Sequence, residues 1–408
     1  MYLDELLAAQ RRGERRGIPS ICSAHPWVLR TALRQHPEVL LIESTCNQVN
    51  QYGGYTGMTP PAFLRYVRGL ATEENYPFEN IILGGDHLGP NLWQDESAER
   101  AMQKGETLIR DYVRAGFVKI HLDCSMRLAD DPPGPLEVEA AAGRTARLAG
   151  VAEECSRGEL RYVIGTEVPV PGGAPRHEEA VGVTKVEDAG QTIQATREAF
   201  CRAALEAAWE RVIAVVVQPG VEFGDDFVLP YRPAAAKDLS RFIEGQAMVY
   251  EAHSTDYQTR QALRHLVADH FAILKVGPAL TFAFREAVVA LAMMEKELIA
   301  PDQGSNIMQV LDDVMVKHPA YWKSYYRGSE TEQALKRRYS LSDRVRYYWV
   351  RPEVQDAFLR LLKNLGEEPL PHSLLTQFVG KSKLNARQVI EGKIKAVLQD
   401  YWRACQVR

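Results

Sequence analysis

Short runs of apolar residues alternate with amphipathic stretches along the first three hundred residues of the chain. The apolar runs are rich in β-branched side chains and lack polar alternation, which is typical of strands buried on both faces of a parallel sheet. Between them, hydrophobic residues recur at the helical spacing, most clearly over residues 97–115 and 280–298. The predicted strands fall within residues 18–25, 39–45, 80–87, 118–123, 162–168, 212–218, 248–253 and 271–277.

The order of these elements predicts one architecture. A strand followed by a helix and a further strand is the unit of a parallel sheet in the α/β class. Eight such units within residues 18–298 favour a TIM (β/α)8 barrel over an open doubly wound sheet. We therefore assign residues 1–300 to the barrel.

The pattern changes after residue 300. Residues 301–408 combine helical spacing with loops and hold seven of the 17 tyrosines and three of the six tryptophans. Aromatic side chains in such numbers are normally buried against other parts of a protein. We predict a helical C-terminal extension that packs on the barrel.

Polar side chains occur at or near the carboxyl end of every predicted strand. In a TIM barrel these ends converge on one mouth, where active sites lie. A single polar residue there is commonly only a hydrogen-bonding partner, but the coincidence over eight strands indicates a functional site. The residues are His25, Glu43, Asp86, His87, Asp123, Glu167, Gln218, His253 and Lys275.

Part of this set suits a metal site. His87 and His253 come from the third and the seventh predicted strand, and imidazoles with oxygen donors bind divalent metals such as zinc. Glu167 and Gln218 are candidates for the remaining ligands. The alternative is a pair of neutral histidines that make only hydrogen bonds. Asp86 is the first candidate for acid/base chemistry, and further candidates are Glu43, His121, Asp123 and Glu251.

Other segments are candidates for binding a substrate. Residues 277–281 begin the helix after the eighth strand, where free backbone N–H groups form an anion site, and barrels often bind phosphate nearby. Arg344 and Arg346 lie in a cationic, hydroxyl-rich stretch that indicates either anion binding or a solvated helix face, with equal weight. The candidate substrate-binding residues are Asn47, Gln48, His121, Lys275, Gly277, Thr281, Arg344 and Arg346.

Composition argues against several classes of protein. The net charge of −4, without a dense Lys/Arg run, does not favour nucleic-acid binding, and no apolar run is long enough to cross a membrane. The six cysteines show no C-x-x-C spacing, so neither a zinc ribbon nor a disulfide framework is indicated. Because the N-terminus lacks the apolar core of a signal peptide, we expect a cytoplasmic protein. No G-x-x-x-x-G-K-[ST] motif supports ATP-dependent phosphoryl transfer.

Several long motifs resemble those of the Z subunit of class II D-tagatose-bisphosphate aldolase. They are IESTCNQVNQYGGYTGMTP (42–60), LGGDHLGPN (83–91), IHLDCS (120–125), IGTEVPVPGG (164–173), VVQPGVEF (216–223), YEAHSTDYQ (250–258), ILKVGPALTF (273–282) and YSLSDRVRYYW (339–349). The resemblance spans nearly the whole chain and implies a class II aldolase-like barrel. Members of this family have been described as tagatose-6-phosphate kinases, non-catalytic aldolase subunits and ketose-phosphate 4-epimerases.

The similarity to catalytic class II aldolases implies roles for individual residues. Asp86 and His87 resemble the Asp and the zinc-ligand His that end the third strand of those enzymes. His253 resembles their last metal ligand, and Glu167 their acidic residue near the metal. Their remaining His ligand is replaced here by Gln218, whose neutral amide donates less charge to a metal than imidazole does.

Reaction chemistry limits what such a mouth can do to a sugar. The hydrogen on carbon 4 of a 2-ketose is not acidified by the carbonyl, so inversion there requires cleavage and re-formation of the bond between carbons 3 and 4, with a metal stabilising the enediolate. We therefore expect a metal-dependent epimerase that interconverts D-tagatose 6-phosphate and D-fructose 6-phosphate, with the free sugars as further candidates. The alternative is a non-catalytic subunit that stabilises and activates a separate catalytic aldolase. In both cases we expect a homo-oligomer.

Overall fold

Eight parallel strands form a closed barrel in the computed structural model, which describes residues 1–156, 158–165, 181–380 and 383–407. The barrel strands are β1 Ile18–Cys22, β2 Leu40–Thr45, β3 Ile81–Leu88, β4 Lys119–Leu122, β5 Arg161–Ile164, β6 Val212–Val216, β9 Val249–Ala252 and β10 Phe271–Val276. An antiparallel hairpin of β7 Glu222–Phe223 and β8 Val228–Leu229 lies between β6 and β9. The order β1-β2-β3-β4-β5-β6-β9-β10 closes by pairing of β10 with β1, which confirms the predicted (β/α)8 barrel.

Helices follow the strands and continue into the extension. The helices of the first 300 residues are α1 Tyr2–Arg11, α2 Pro26–Leu33, α3 Pro60–Glu73, α4 Ala98–Arg114, α5 Val138–Cys155, α6 Val186–Arg202, α7 Glu206–Trp209, α8 Lys237–Glu244, α9 Arg260–Ala268 and α10 Pro278–Leu298. The extension contains α11 Ile307–Lys317, α12 Glu330–Tyr339, α13 Pro352–Leu365, α14 His372–Phe378 and α15 Ala386–Cys405. Within the described ranges, no helix combines the length and the apolar character needed to cross a membrane.

The first helix closes the N-terminal end of the barrel. Leu3 and Leu6 of α1 are buried in a separate apolar cluster with residues at the starts of the strands, including Ile18, Val39 and Ile82. Because this end is filled by apolar packing, the polar chemistry of the chain is concentrated towards the opposite, C-terminal mouth.

Charged side chains fill part of the barrel interior. Glu43 on β2, Lys119 on β4, Glu251 on β9 and Lys275 on β10 are at most 6 % exposed. The parallel register places Glu43 beside Gly84 of β3 and Gly84 beside Lys119. A Cβ atom at position 84 would lie only 2.7 Å from Cγ of Glu43, so the missing side chain gives this carboxylate its space.

The C-terminal extension packs on the barrel and reaches over its mouth. Helix α15 lies against α2, α9 and α10, and its buried Tyr401 donates a hydrogen bond to the carbonyl of Thr255 after β9. The segment 340–350 extends over the mouth, where the rings of Tyr347 and Tyr55 lie 4.7 Å apart. The division of the chain at residue 300 stays a prediction.

We expect Gly84→Ala to lower the free energy of unfolding by about 1–3 kcal/mol, the usual cost of overpacking a core. The Glu43 carboxylate is bonded to Ser20 and to two lysines, so it has little freedom to move away from the added methyl group. Gly69→Ala is the matched control because position 69 is exposed in α3 with no atom near its Cβ, and alanine there should stabilise by about 0.5–1 kcal/mol. Urea unfolding measures both variants. Equal stability of Gly84→Ala and the wild type would contradict a rigidly held Glu43.

Candidate active site

Three buried histidines meet at the mouth of the barrel. His87 lies near the end of β3, His121 on β4 and His253 just after β9. Their ring centroids are separated by 4.9, 5.1 and 5.3 Å. One ligand atom from each ring and one from Asp86 all lie within 4.8 Å of one another. The cluster therefore contains two residues that were predicted as metal ligands, His87 and His253, and adds His121 to them.

An irregularity in β3 places two consecutive residues in this cluster. In a regular strand, Asp86 and His87 would point to opposite faces of the sheet. The pairing of β3 with β4 shifts register between Gly85 and Leu88, and His87 has a φ of 51°, in the left-handed region. This bulge-like change directs both side chains towards the mouth.

Each histidine ring is held by a carboxylate through one of its nitrogens. The pairs are Nδ1 of His87 with Asp123 at 2.7 Å, Nδ1 of His121 with Asp86 at 2.8 Å, and Nε2 of His253 with Glu251 at 2.9 Å. The second nitrogen of each ring remains for another ligand, and Nε2 of His121 is buried without a hydrogen-bond partner. Carboxylates that orient histidines in this way are typical of metal sites.

The surroundings set the protonation of two of these rings differently. Burial lowers the pKa of His253 to about 3, so this ring is neutral near pH 7. Burial also lowers the pKa of His87, but the carboxylates of Asp86 and Asp123 outweigh burial and raise it above its ordinary value. His253 thus offers a free lone pair, whereas His87 lies where positive charge is favoured.

Asp86 links the histidines to the charged interior of the barrel. Its Oδ1 lies 2.8 Å from Nδ1 of His121, with which it shares a hydrogen bond, and 2.8 Å from Nζ of Lys275, with which it forms an ion pair. Burial raises the pKa of Asp86, but His87 and Lys275 hold it well below its usual range. Asp86 is therefore ionised and Nδ1 of His121 carries the shared proton. The backbone N–H of His87, 3.2 Å from the same nitrogen, is the weaker contact.

Two buried lysines bridge the carboxylates beneath the mouth. Nζ of Lys119 lies 2.8 Å from Glu43 and 2.7 Å from Glu251, while Nζ of Lys275 lies 2.8 Å from Glu43 and from Asp86. Burial lowers the pKa of each lysine, but the neighbouring carboxylates outweigh it and raise both values above normal. Both ammonium groups therefore stay charged.

The donors and charges of this cluster fit a divalent cation. The cluster contains four carboxylates, from Glu43, Asp86, Asp123 and Glu251, and two ammonium groups, which leaves two formal negative charges when the histidines are neutral. Three imidazoles form a nitrogen-rich donor set of the kind that zinc prefers. Nε2 of His121 is a buried polar atom that such a ligand would satisfy. The residues that would hold the metal are His87, His121 and His253.

Two predicted metal ligands require a different account. Gln218 follows β6, and its Oε1 accepts hydrogen bonds from the N–H groups of Gly220 and Val221 at 2.8 and 3.0 Å. This oxygen stabilises its own loop, and the assignment of Gln218 as a metal ligand stays a prediction. Glu167 lies outside the described residues.

His25 also lies away from the histidine cluster. Strand β1 ends at Cys22, and His25 is the residue that precedes α2. Its ring lies 4.2 Å from the ring of Phe284 and 6.3 Å from that of Trp349. Burial lowers the pKa of His25 to about 3, and the residue lines a cavity of about 240 Å³ together with Gln48 and Arg346.

The start of α10 is not a free anion site. The N–H groups of Gly277 and Ala279 donate to Oδ1 of Asp256 at 3.0 and 2.8 Å. Thr281 donates its hydroxyl to Asp343 at 2.6 Å. Burial raises the pKa of Asp256 to about 6, so its carboxylate is largely ionised near neutral pH. The prediction of free N–H groups at Gly277 and Thr281 is therefore corrected.

Two adjoining cavities open beside the histidines. The Lys275 cavity has a volume of about 100 Å³, and its lining includes Gln48, Asp86, His253, Asp256, Lys275, Gly277 and Arg346. The Arg344 cavity has a volume of about 440 Å³, and its lining includes Asn50, Asn91, Gln94, Asp123, Ser125 and Arg344. Both cavities are lined by Asn47, Tyr55, His87 and Tyr347.

The two predicted arginines differ in their bonding. Arg346 donates hydrogen bonds to the carbonyls of Ser342 and Asp343 and to the hydroxyl of Tyr347. Arg344 donates through Nη1 to a backbone carbonyl, while its Nη2 is buried without a partner. Among the described residues Arg344 forms no ion pair with a carboxylate, and burial lowers its pKa. This arrangement favours an incoming anion at Arg344.

Several residues of the mouth were not predicted from the sequence. Lys119 stands two positions before His121 on β4, and this alternation was a usable signal for a shared face. Asp256 lies in a loop whose return to α10 no local pattern predicts. Tyr55 and Tyr347 meet because the extension covers the mouth, which depends on tertiary packing.

The chain matches one family over almost its full length. Residues 3–406 match the family described as D-tagatose-1,6-bisphosphate aldolase subunit GatZ/KbaZ-like. The D-tagatose-1,6-bisphosphate aldolase subunit GatZ of Klebsiella pneumoniae subsp. pneumoniae is 51 % identical over 419 residues, and that of Salmonella dublin is 50 % identical, with 99 % of each chain covered. The crystal structure of a probable tagatose 6 phosphate kinase from Sinorhizobium meliloti 1021 has a TM-score of 0.88 and 46 % identity, covering 96 % of this chain and 100 % of that chain. The resemblance in the motifs is confirmed: this chain belongs to the D-tagatose-1,6-bisphosphate aldolase subunit GatZ/KbaZ-like family.

Proposed function

We propose that this chain is a subunit of a D-tagatose-1,6-bisphosphate aldolase and assembles with a separate catalytic chain. The observation that carries this proposal is the identity of 51 % to a protein named as such a subunit, over 99 % of both chains. Similarity along the whole length includes the outer surface as well as the mouth of the barrel, and assembly depends on that surface. The role of the mouth itself has to be argued from its own residues.

The subunit role predicts that this chain raises the activity and thermal stability of a catalytic aldolase chain when the two are co-expressed and purified together. Asp86→Asn should preserve this effect, because it changes a buried side chain and not the outer surface. The measurements are size-exclusion chromatography and cleavage of tagatose 1,6-bisphosphate with each chain alone and with both. Separate elution of the two chains, with unchanged aldolase activity, would rule out the subunit role.

A second candidate function is favoured by the histidine–carboxylate cluster beside two cavities. We propose that the mouth is a metal-dependent 4-epimerase site for ketohexose 6-phosphates. A bound divalent cation would polarise the sugar carbonyl and stabilise negative charge next to it. This candidate is compatible with the subunit role, because the mouth and the outer surface are different parts of the chain.

Asp86 and Asp123 are the best candidates for proton transfer. Asp86 lines the Lys275 cavity and Asp123 the Arg344 cavity, and His87 lines both. Epimerisation at carbon 4 needs acid/base groups on both faces of that carbon. Glu43 and Glu251, which are the other candidates, are fully buried and paired with lysine. We therefore propose that these two glutamates position other residues.

The epimerase proposal predicts that the purified chain alone converts fructose 6-phosphate to tagatose 6-phosphate when a divalent metal is supplied. Asp86→Asn should retain the metal and lose about 10²- to 10⁴-fold in rate, since it removes a proton acceptor. His87→Ala and His253→Ala should each lose the metal while keeping the native circular dichroism spectrum. Elemental analysis and product detection by chromatography check the three variants. Wild-type metal content in both alanine variants would refute the ligand assignment.

We expect Arg344→Ala to weaken binding of fructose 6-phosphate by roughly 10- to 150-fold, because the loss of one charged hydrogen bond lowers affinity by this factor. Binding of fructose should stay nearly unchanged. Arg346→Ala should affect both sugars alike, because Arg346 bonds to the extension itself. The exposed Arg338→Ala is the control. Isothermal titration calorimetry measures the affinities. Equal losses on both sugars in Arg344→Ala would mean that this arginine only supports the extension.

A further inference from the structure

The N-terminal end of α10 is occupied by a carboxylate of the chain itself. In barrels, the loops after the last two strands and the helix start beside them are common phosphate sites, because free N–H groups there attract anions. Here the loop after β9 brings Asp256 to that place, where its Oδ1 accepts the N–H groups of Gly277 and Ala279. Asp256 is 3 % exposed and lines the Lys275 cavity.

The cations of the Lys275 cavity are already engaged. Lys275 lies 2.8 Å from both Glu43 and Asp86. Arg346 donates to two backbone carbonyls and one hydroxyl of the extension. Among the described lining residues, a phosphate group in this cavity would meet Asp86 and Asp256 and no cation that is free to bind it.

The adjoining Arg344 cavity is lined by Asp123, whose carboxylate is paired with His87, and by the less engaged cation Arg344. Arg344 is only 3 % exposed, and its Nη2 is buried without a hydrogen-bond partner. Its guanidinium stacks on the ring of Tyr325. Among the residues described, its charge has no carboxylate partner.

We infer that Asp256 is a specificity-determining residue that excludes a phosphate group from the α10 end of the mouth. The two adjoining cavities then select a ketohexose with one phosphate, placed at Arg344, and with its unphosphorylated hydroxymethyl end towards Asp256. Ketohexose 1,6-bisphosphates are rejected because their second phosphate would face the Asp256 carboxylate. This inference rests on the proposal that the mouth binds a ketohexose phosphate.

The test compares fructose 6-phosphate with fructose 1,6-bisphosphate on the full-length, metal-supplied chain by isothermal titration calorimetry near neutral pH. The wild type should bind the monophosphate at least about tenfold more tightly than the bisphosphate. A factor of about ten is the lower end of the effect that one charged hydrogen bond has on affinity. Asp256→Ser frees the N–H groups of Gly277 and Ala279, so it should bring the two affinities to parity or reverse them. Asp256→Asn keeps an oxygen acceptor for both N–H groups and loses the charge, so its preference should be intermediate.

Thermal unfolding of each variant shows whether the helix start stays folded, and Asp400→Ser, which changes an exposed carboxylate of α15, is the control. Asp256→Asn retains the helix-capping oxygen, so it tests the charge even where Asp256→Ser is less stable. Equal affinity of the wild type for both sugars, or an unchanged preference in both variants, would overturn the inference and leave the proposed binding of sugar phosphates standing. Failure of both sugars to bind the wild type would overturn that proposed function and the inference with it.

Discussion

The ion pairs of two buried lysines hold the mouth of the barrel in place. Lys119 joins Glu43 to Glu251, and Lys275 joins Glu43 to Asp86, so residues from five strands form one network. Removing one partner of such a buried pair typically costs about 3–5 kcal/mol, because the other charge loses its compensation. The same carboxylates orient His121 and His253, so the histidine cluster depends on the network.

The periodicity of the sequence was sufficient for the barrel but not for the details of its mouth. The alternation of apolar runs and helices predicts eight units because parallel strands and amphipathic helices each have a simple repeat. Asp86 and His87 break that repeat: two consecutive residues face one site because β3 shifts its register there. The side chain of Gln218 shows a related effect, since hydrogen bonds within its loop engage the amide oxygen.

The path of the loops also explains the corrected anion site. A helix start after the last strand has N–H groups in any barrel, and sequence alone indicates that they are free. Whether they stay free depends on the carboxylate of Asp256, three residues after His253 in the loop that follows β9. The contact of this loop with the start of α10 depends on tertiary packing. The same holds for Arg344, which lines the mouth because the extension folds over it.

The energetics of the mouth bear on the two proposed functions. Replacing buried ion pairs by apolar side chains is often neutral or stabilising by about 1–4 kcal/mol, so a chain that served only as a scaffold would gain no stability from this cluster. A sugar bisphosphate presents two anionic ends, whereas the mouth combines one unpaired arginine with a carboxylate at the opposite candidate site. Under the two proposals, an aldolase assembly containing this chain would have two different sugar sites, with the bisphosphate on the catalytic chain and a monophosphate on this one.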